Sequence, residues 1–416
     1  MIGSPRLRRL ATFGAAATLA LVLGACARDY PNTTFQPHSE YGRAIDFIWN
    51  RLLLLGTLVF IFVEGVLLFV VFKYRRRSDD VVPPQTHGNT ALEITWTLIP
   101  AAILVFIAVP TVRTIFETQT KAPANALQIE VYGHQWWWEF RYPEYNVVTA
   151  NEIYIPTGRA VNFTLRTKDV LHSFWMPQLS GKRDLIANHT NYIWFTPDST
   201  VPTTVWNGFC TEYCGASHAN MRFRVVTVKP DQFASWIEHQ QAPAFFNAAP
   251  AAPAVTPAAN SANAAPAQPA GPTPAQLAGF IIPKEQVPAY TIPQTPLPDI
   301  KFDDRLAGDA ARGQQLFTGA GTCNACHTIS GNPLAVGTVG PNLTHVGSRI
   351  AIGAGLYAND ARHLARWIKN ARVMKPGSIM PTLGKGQFDP QSNSAVPGGL
   401  NDQQVADIVA YLQALK

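Results

Sequence analysis

Two long apolar runs constrain this chain most. Ile45 to Phe72 and Leu92 to Val112 are each long enough to cross the roughly 30 Å hydrocarbon core of a bilayer as a helix. Such a pair folds as a transmembrane hairpin, expected over 40–117, with any soluble domains outside it. Composition agrees: 47% of residues are hydrophobic and 14% charged, against about 25% charged in soluble proteins. Lys73, Arg75, Arg76 and Arg77 cluster between the runs, and positive loops remain cytoplasmic, so the long C-terminal part is assigned to the outer side. Much of the net charge of +6 is then a topology signal, which leaves nucleic-acid binding without support. Glu64 lies in the first run and Glu93 at the start of the second. An intramembrane carboxylate is a functional candidate by default. The plainer alternatives are that Glu64 faces a partner helix and Glu93 sits among lipid headgroups.

The N-terminus reads as an export signal. Arg6, Arg8 and Arg9 precede an apolar run from Leu10 to Leu23, which is short for a membrane span. Leu23-Gly24-Ala25-Cys26 resembles a lipoprotein cleavage box, which predicts a signal peptide over 1–25 and a lipid on Cys26. An ordinary signal peptide, or an uncleaved start, is the alternative. The chain holds five cysteines, an odd number that excludes a complete set of internal disulfides.

From about 126 to 240 the hydrophobic period becomes two. Leu127, Ile129 and Val131 alternate with polar residues, as do Val161, Phe163 and Leu165, then Ile193 with Phe195 and Phe223 with Val225. Short strands separated by turn residues predict a β-sandwich or Greek-key barrel. Within it Cys210, Cys214, His218 and Met221 fall inside twelve residues, and His172 lies upstream. Two thiols, imidazoles and a thioether favour copper. A disulfide between the cysteines, or a structural zinc held by two Cys and two His, are the alternatives. The first leaves His172, His218 and Met221 unexplained, and the second leaves the thioether so.

The segment from Cys210 to Met221, Asp169 to Trp175, Gly133-His134-Gln135-Trp136-Trp137-Trp138 and Glu93 to Pro100 together resemble subunit II of haem–copper cytochrome c oxidases, over about 40–240. The resemblance implies a cupredoxin domain with a binuclear copper centre, CuA. Its bridging thiolates would be Cys210 and Cys214, its histidines His172 and His218, its thioether Met221 and its carbonyl ligand that of Glu212. It further implies a magnesium ion on the Glu212 carboxylate at the junction with subunit I. Glu93 would lie at the mouth of a proton channel in subunit I, and electrons would enter through Trp136. Two positions depart from the family. Asp184 is followed by Leu185-Ile186 instead of Pro-Gly, and Phe209 stands where Gln is common. His134, His189 and His239 are read as surface or packing residues.

Residues 242–300 are rich in Ala and Pro and predict a flexible linker, long enough for a tethered domain to dock and undock. Cys323-Asn324-Ala325-Cys326-His327 then supplies the C-x-x-C-H pattern of covalent haem c attachment, with His327 as an axial ligand. Helical stripes follow at Leu364, Trp367, Ile368 and Ala371 and at Val405, Ile408, Val409, Leu412 and Leu415, with a shorter helix at Arg312 to Phe317. The region 306–416 resembles class I cytochrome c, including Gly340-Pro341-Asn342-Leu343 and Met380-Pro381. The second axial ligand is assigned to Met380, in a loop broken by Pro and Gly, over Met374 at a helix end. His345 and His363 are read as surface residues.

The expected fold is multidomain: a two-helix transmembrane hairpin, a cupredoxin-like sandwich, a linker and an all-α cytochrome c domain, on the outer face of a bacterial inner membrane. The expected function is that of a caa3-type oxidase subunit II with a fused cytochrome c. It would take electrons from a quinol–cytochrome c reductase or a soluble cytochrome and deliver them to subunit I, where oxygen is reduced with proton pumping. A CuA-bearing subunit of a nitric oxide reductase and a stand-alone membrane-anchored carrier are the alternatives. A quinol oxidase subunit is disfavoured because all the copper ligands are present.

Overall fold

A computed structural model of the chain describes residues 12–20, 32–75, 87–244 and 282–416. Cys26 and its box, Arg76, Arg77 and the linker stretch 245–281 lie outside the described residues.

The two apolar runs form helices α1 (Glu40–Lys73) and α2 (Thr90–Thr118). Ser39 caps α1 by accepting from the Gly42 amide, and Asn89 caps α2 by accepting from those of Ala91 and Leu92, which satisfies donors that have no partner within the helix. Both helices are long and apolar enough to span a membrane. Large apolar side chains such as Phe62 and Leu104 point outward along them, as a lipid-facing surface requires.

The sandwich follows. Strands β1 (Leu127–His134), β2 (Trp137–Tyr142), β3 (Val147–Ala150), β5 (Val161–Thr167) and β8 (Asn191–Phe195) form one sheet in the order β3-β2-β1-β5-β8. Strands β4 (Glu152–Pro156), β6 (His172–Trp175), β7 (Arg183–Leu185), β9 (Thr204–Cys210) and β10 (Arg222–Val228) form the other, in the order β4-β10-β9-β6-β7. The alternating residues of the sequence pattern point inward: Leu127, Ile129, Val131, Phe163 and Phe223 are all buried. Phe174 stacks on Phe223 with ring centroids 4.7 Å apart. Leu185, at the first departure from the family pattern, is a buried strand residue opposite His172. Helix α3 (Pro230–Gln241) closes one face, where Trp236 stacks on Tyr154 at 4.6 Å.

The sandwich is pinned to the ends of both long helices. The Glu40 carboxylate accepts the Thr196 amide at 2.8 and 2.9 Å, Arg43 pairs with Asp198 at 2.7 Å, and the Trp194 indole donates to the Thr120 carbonyl at 2.8 Å. These bonds hold the β domain directly over one end of the hairpin.

The C-terminal domain comprises α4 (Ala310–Thr318), α5 (Ala361–Lys369), α6 (Ala371–Met374) and α7 (Asp402–Ala414). Phe317, Leu364, Ile368, Val405, Ile408 and Leu412 share its core. Helices α4 and α7 cross at Gly313, where an added Cβ would lie 2.0 Å from the Asp407 carbonyl oxygen. The Asp407 carboxylate locks the crossing by accepting from the Asp309 amide at 2.7 Å and from Arg312 at 2.9 and 3.0 Å.

The expected free linker needs correction over 282–300. Ile282 is buried against the sandwich core and Ile300 against the helical core, and the Thr291 carbonyl accepts from Arg224 Nε at 2.8 Å. Proline-rich composition signalled extension, but the few apolar side chains in it have cores within reach. Gly313→Val should destabilise the helical domain by about 1–3 kcal/mol through overpacking. Thermal unfolding followed by circular dichroism should show its transition at lower temperature with the β domain unmoved.

Candidate metal centre and haem-binding turn

The pairing of β6 with β9, Phe174 opposite Cys210, brings His172 and Cys210 to the same end of the sandwich. The loop from Thr211 to Met221 then returns the chain to β10 and folds Cys214, His218 and Met221 over that end. Sulfur atoms of Cys210 and Cys214 lie 3.8 Å apart, far beyond the about 2.05 Å of a disulfide. A metal bound to both at about 2.3 Å with a tetrahedral angle would set them about 3.8 Å apart.

The other donors are strung out from this pair. His172 Nδ1 is 3.8 Å from Cys210 Sγ, His218 Nδ1 is 3.6 Å from Cys214 Sγ, and Met221 Sδ is 3.9 Å from Cys214 Sγ. The Glu212 carbonyl is 3.3 Å from Cys210 Sγ. His172, Cys210 and Cys214 form a trio with all donor atoms within 4.8 Å of one another, and His218 lies outside it. One imidazole at each end and two thiols between them suit two ions that share the thiolates better than one tetrahedral zinc, and the thioether favours copper. Electrostatics agrees. The Cys214 hydrogen bond favours the Cys210 thiolate, and that charge together with burial holds the second proton on Cys214. Both thiols ionise together only beside a cation.

Three residues of this site had no assigned role from the sequence. Asp169 Oδ1 lies 2.8 Å from His172 Nε2, which makes Nε2 the donor and leaves Nδ1 free to bind a metal. Burial pushes the Asp169 carboxyl up, but His172 and the Gln135 and Val170 amides outweigh it and hold it below the usual range. An acid three residues before a ligand histidine is a signal that could have found it. Gln135 Nε2 donates to the Cys214 carbonyl at 2.8 Å, and the half-buried Trp136 donates to the same oxygen from Nε1 at 2.9 Å. The third is Lys375, whose Nζ donates to the Trp136 carbonyl at 2.5 Å. It lies far along the chain, and no local pattern marks it.

The remaining candidates fall as follows. The Glu212 side chain is half exposed, its Oε1 accepting from the Tyr213 amide at 3.2 Å. Glu93 sits in the first turn of α2, roughly 38 Å of helix from the end that meets the sandwich. Glu64 lies within α1 and is partly covered.

In the helical domain Cys323 and Cys326 flank a single tight turn, Cys323–Ala325. His327 Nδ1 donates to the Pro341 carbonyl at 2.8 Å, so Nε2 is the nitrogen left to bind iron. Gly340 packs on that ring, where a Cβ would lie 2.5 Å from Cε1. Met374 is buried in the apolar core, and Met380 stands half exposed in the following loop. His345, read as a surface residue, is instead buried against His239, ring centroids 4.3 Å apart. Burial, and then His239, push it down to about 4.

Residues 32–114 match the family of the cytochrome c oxidase subunit II transmembrane domain, 146–228 that of its periplasmic domain, and 310–416 that of cytochrome c. Cytochrome c oxidase subunit 2 of Alkalihalophilus pseudofirmus is 31% identical over 407 residues, covering 96% of this chain and 95% of that one. This chain belongs to the cytochrome c oxidase subunit II family. The Bacillus subtilis subunit 2 is 26% identical, covering 91% and 93% of the two chains. The crystal structure of the periplasmic domain of subunit II of cytochrome oxidase from Bradyrhizobium japonicum is 28% identical, with a TM-score of 0.27, over 29% of this chain and 97% of that one.

The protein is thus a subunit of a haem–copper oxidase, membrane-anchored with a periplasmic domain, and it works with the other oxidase subunits. Its domain families imply CuA in the sandwich and haem c in the helical domain. The donor set at each place fits those groups. Asp169→Asn should weaken copper retention about 10–100-fold, as loss of an orienting carboxylate does elsewhere. Competition with a graded series of chelators would measure it.

Proposed function

We propose that this subunit receives electrons from an external donor at haem c and passes them through CuA to subunit I, where oxygen is reduced to water with proton pumping. One observation carries this reading: two unbonded thiols 3.8 Å apart with an imidazole at each end, in a chain that also holds a haem-attachment turn. CuA would be held by His172, Cys210, the Glu212 carbonyl, Cys214, His218 and Met221. Haem c would be held covalently by Cys323 and Cys326, with His327 and Met380 on the iron. Both groups supply one-electron transfer, and His/Met ligation sets a high potential at the haem. Trp136, bonded to the Cys214 carbonyl, is the side chain through which electrons enter the copper centre.

Further roles belong to the same reading. The half-exposed Glu212 carboxylate would hold magnesium where subunit I packs. Glu93 would gather protons for subunit I at the cytoplasmic end of α2. Both long helices would cross the inner membrane, Cys26 would carry lipid, and the donor would be a quinol–cytochrome c reductase or a soluble cytochrome.

Cys214→Ser removes one of the two thiols that would hold CuA. The purified complex should lose its copper by metal analysis and its oxygen uptake, while the donor still reduces haem c. Full oxygen turnover in a variant without this copper would overturn the reading. Met380→Ala should remove the sulfur-to-iron charge-transfer band and lower the haem potential, and Met374→Ala should do neither. Survival of the band in the first variant and its loss in the second would reverse the assignment.

A further inference from the structure

Strands β4 and β10 are buried on both faces, whereas β5 alternates between buried and part-exposed residues. A sandwich sheet normally turns one face to water, so these two strands are covered from outside. Part of the cover is α3. The rest is the 282–300 segment, whose Thr291 carbonyl accepts from Arg224, and the haem-bearing domain of the same chain.

Besides His345, which packs on His239 of α3, two of its loops make the contact. The first is a hairpin of Ala351–Ile352 and Tyr357–Ala358. Glu152 of β4 accepts the Ile350 and Ala351 amides at 2.6 and 3.0 Å. Arg224 of β10, directly opposite Glu152 in the sheet, donates to the Gly355 carbonyl at 3.0 Å. The hairpin tip has φ +64° at Gly353 and +77° at Gly355, and a Cβ on Gly355 would lie 2.8 Å from the Arg224 guanidinium, so glycine suits that seat on two counts. The second loop follows Met374. Lys375 donates to the Trp136 carbonyl at 2.5 Å, and Ser217 donates to the Pro376 carbonyl. Gly377 lies against the Trp136 ring, where a Cβ would approach to 2.5 Å.

Docking takes Glu152, Arg224 and Lys375 out of water, which is costly unless each finds its partner. Burial pushes Glu152 up to about 7, Arg224 down to about 10 and Lys375 down to about 7. A wrong register would leave Glu152 without either amide donor and would cost Arg224 and Lys375 one carbonyl each, so these groups select one seat.

We infer that the haem-bearing domain is seated on the copper domain by a buried polar latch, Glu152 and Arg224 against the 350–355 hairpin and Lys375 against Trp136. The latch closes the Trp136 surface to soluble donors, so an external electron enters only at the haem. This rests on the reading of Trp136 as the residue through which electrons reach copper. The seat also replaces the expectation of a domain that docks and undocks on a free tether.

The test uses the whole purified oxidase. Amide hydrogen exchange reads the 350–355 and 375–378 segments, and hydroxyl-radical footprinting reads the Trp136 side chain. The wild type should show both segments slow and Trp136 protected. Glu152→Ala should speed exchange in both segments about thirtyfold or more, the factor typical of breaking a buried charged contact, and expose Trp136. Exchange in β1 and β5 should not change. Glu152→Gln retains an acceptor oxygen and should keep most of the protection. Wild-type segments exchanging as open loops, or no change in Glu152→Ala, would overturn the latch. Should Glu152→Ala also loosen β1 and β5, Lys375→Met gives the same reading from the other domain. Copper and haem content of the same samples report on the functional reading separately: their absence would sink that reading, whereas their presence with an exposed Trp136 in the wild type would sink only the latch.

Discussion

Two thiols held 3.8 Å apart in a buried loop set the terms for the rest of the copper domain. Left alone, such a pair repels as soon as both sulfurs ionise, and burial makes the repulsion worse. The scaffold must therefore fix them by backbone. The β6–β9 register does this for Cys210, and the Trp136 and Gln135 bonds to the Cys214 carbonyl do it for Cys214. Asp169 fixes His172 in the same way and also accepts the Gln135 amide at 2.6 Å. One carboxylate thus ties a metal-facing imidazole to the residue beside Trp136. The ligands and the route to them share a single hydrogen-bonded support, as preorganised sites require.

Much of this was legible in the sequence where the signal is local. Period-two alternation marked the strands that bury Leu127 and Phe163, and the five-residue C-x-x-C-H pattern marked the haem turn. The ligand residues stood out because soft donors rarely crowd into twelve positions without a metal. The rest was hidden because its cause lies elsewhere in the chain. Glu152 and Arg224 occupy strand positions where alternation assigns polar residues to water, and distant segments cover them: a hairpin 198 positions from Glu152 and 131 from Arg224, and Thr291, 67 positions from Arg224. His345 lies between Leu343 and Val346, but two apolar neighbours set no period that would assign its own burial, and it packs on His239 of α3. The 282–300 segment looked like linker because proline dominates it. Its anchors, Ile282 and Val287 on one core and Leu297 and Ile300 on the other, are spaced too irregularly to form a period.

Tethering and seating solve different parts of one problem. Covalent linkage alone holds two domains at about millimolar effective concentration whatever their orientation. Concentration alone gives no preference for one face, and electron transfer depends on which face is presented. Apolar contacts would add affinity with little orientation, because burial is non-directional. The interface has an apolar part, Ala354 with Trp137 and Ala150, but directional bonds set its orientation: two amides into Glu152, a guanidinium onto the Gly355 carbonyl, and an ammonium onto the Trp136 carbonyl. Each is satisfied in one pose only. The loop that carries Lys375 to Trp136 is the same loop that continues to Met380, so the pose that satisfies the charge also brings the proposed axial-ligand segment beside the residue that contacts Cys214. Orientation of the haem-bearing domain is thereby set by the geometry of its hydrogen bonds, and the tether has only to keep that domain close.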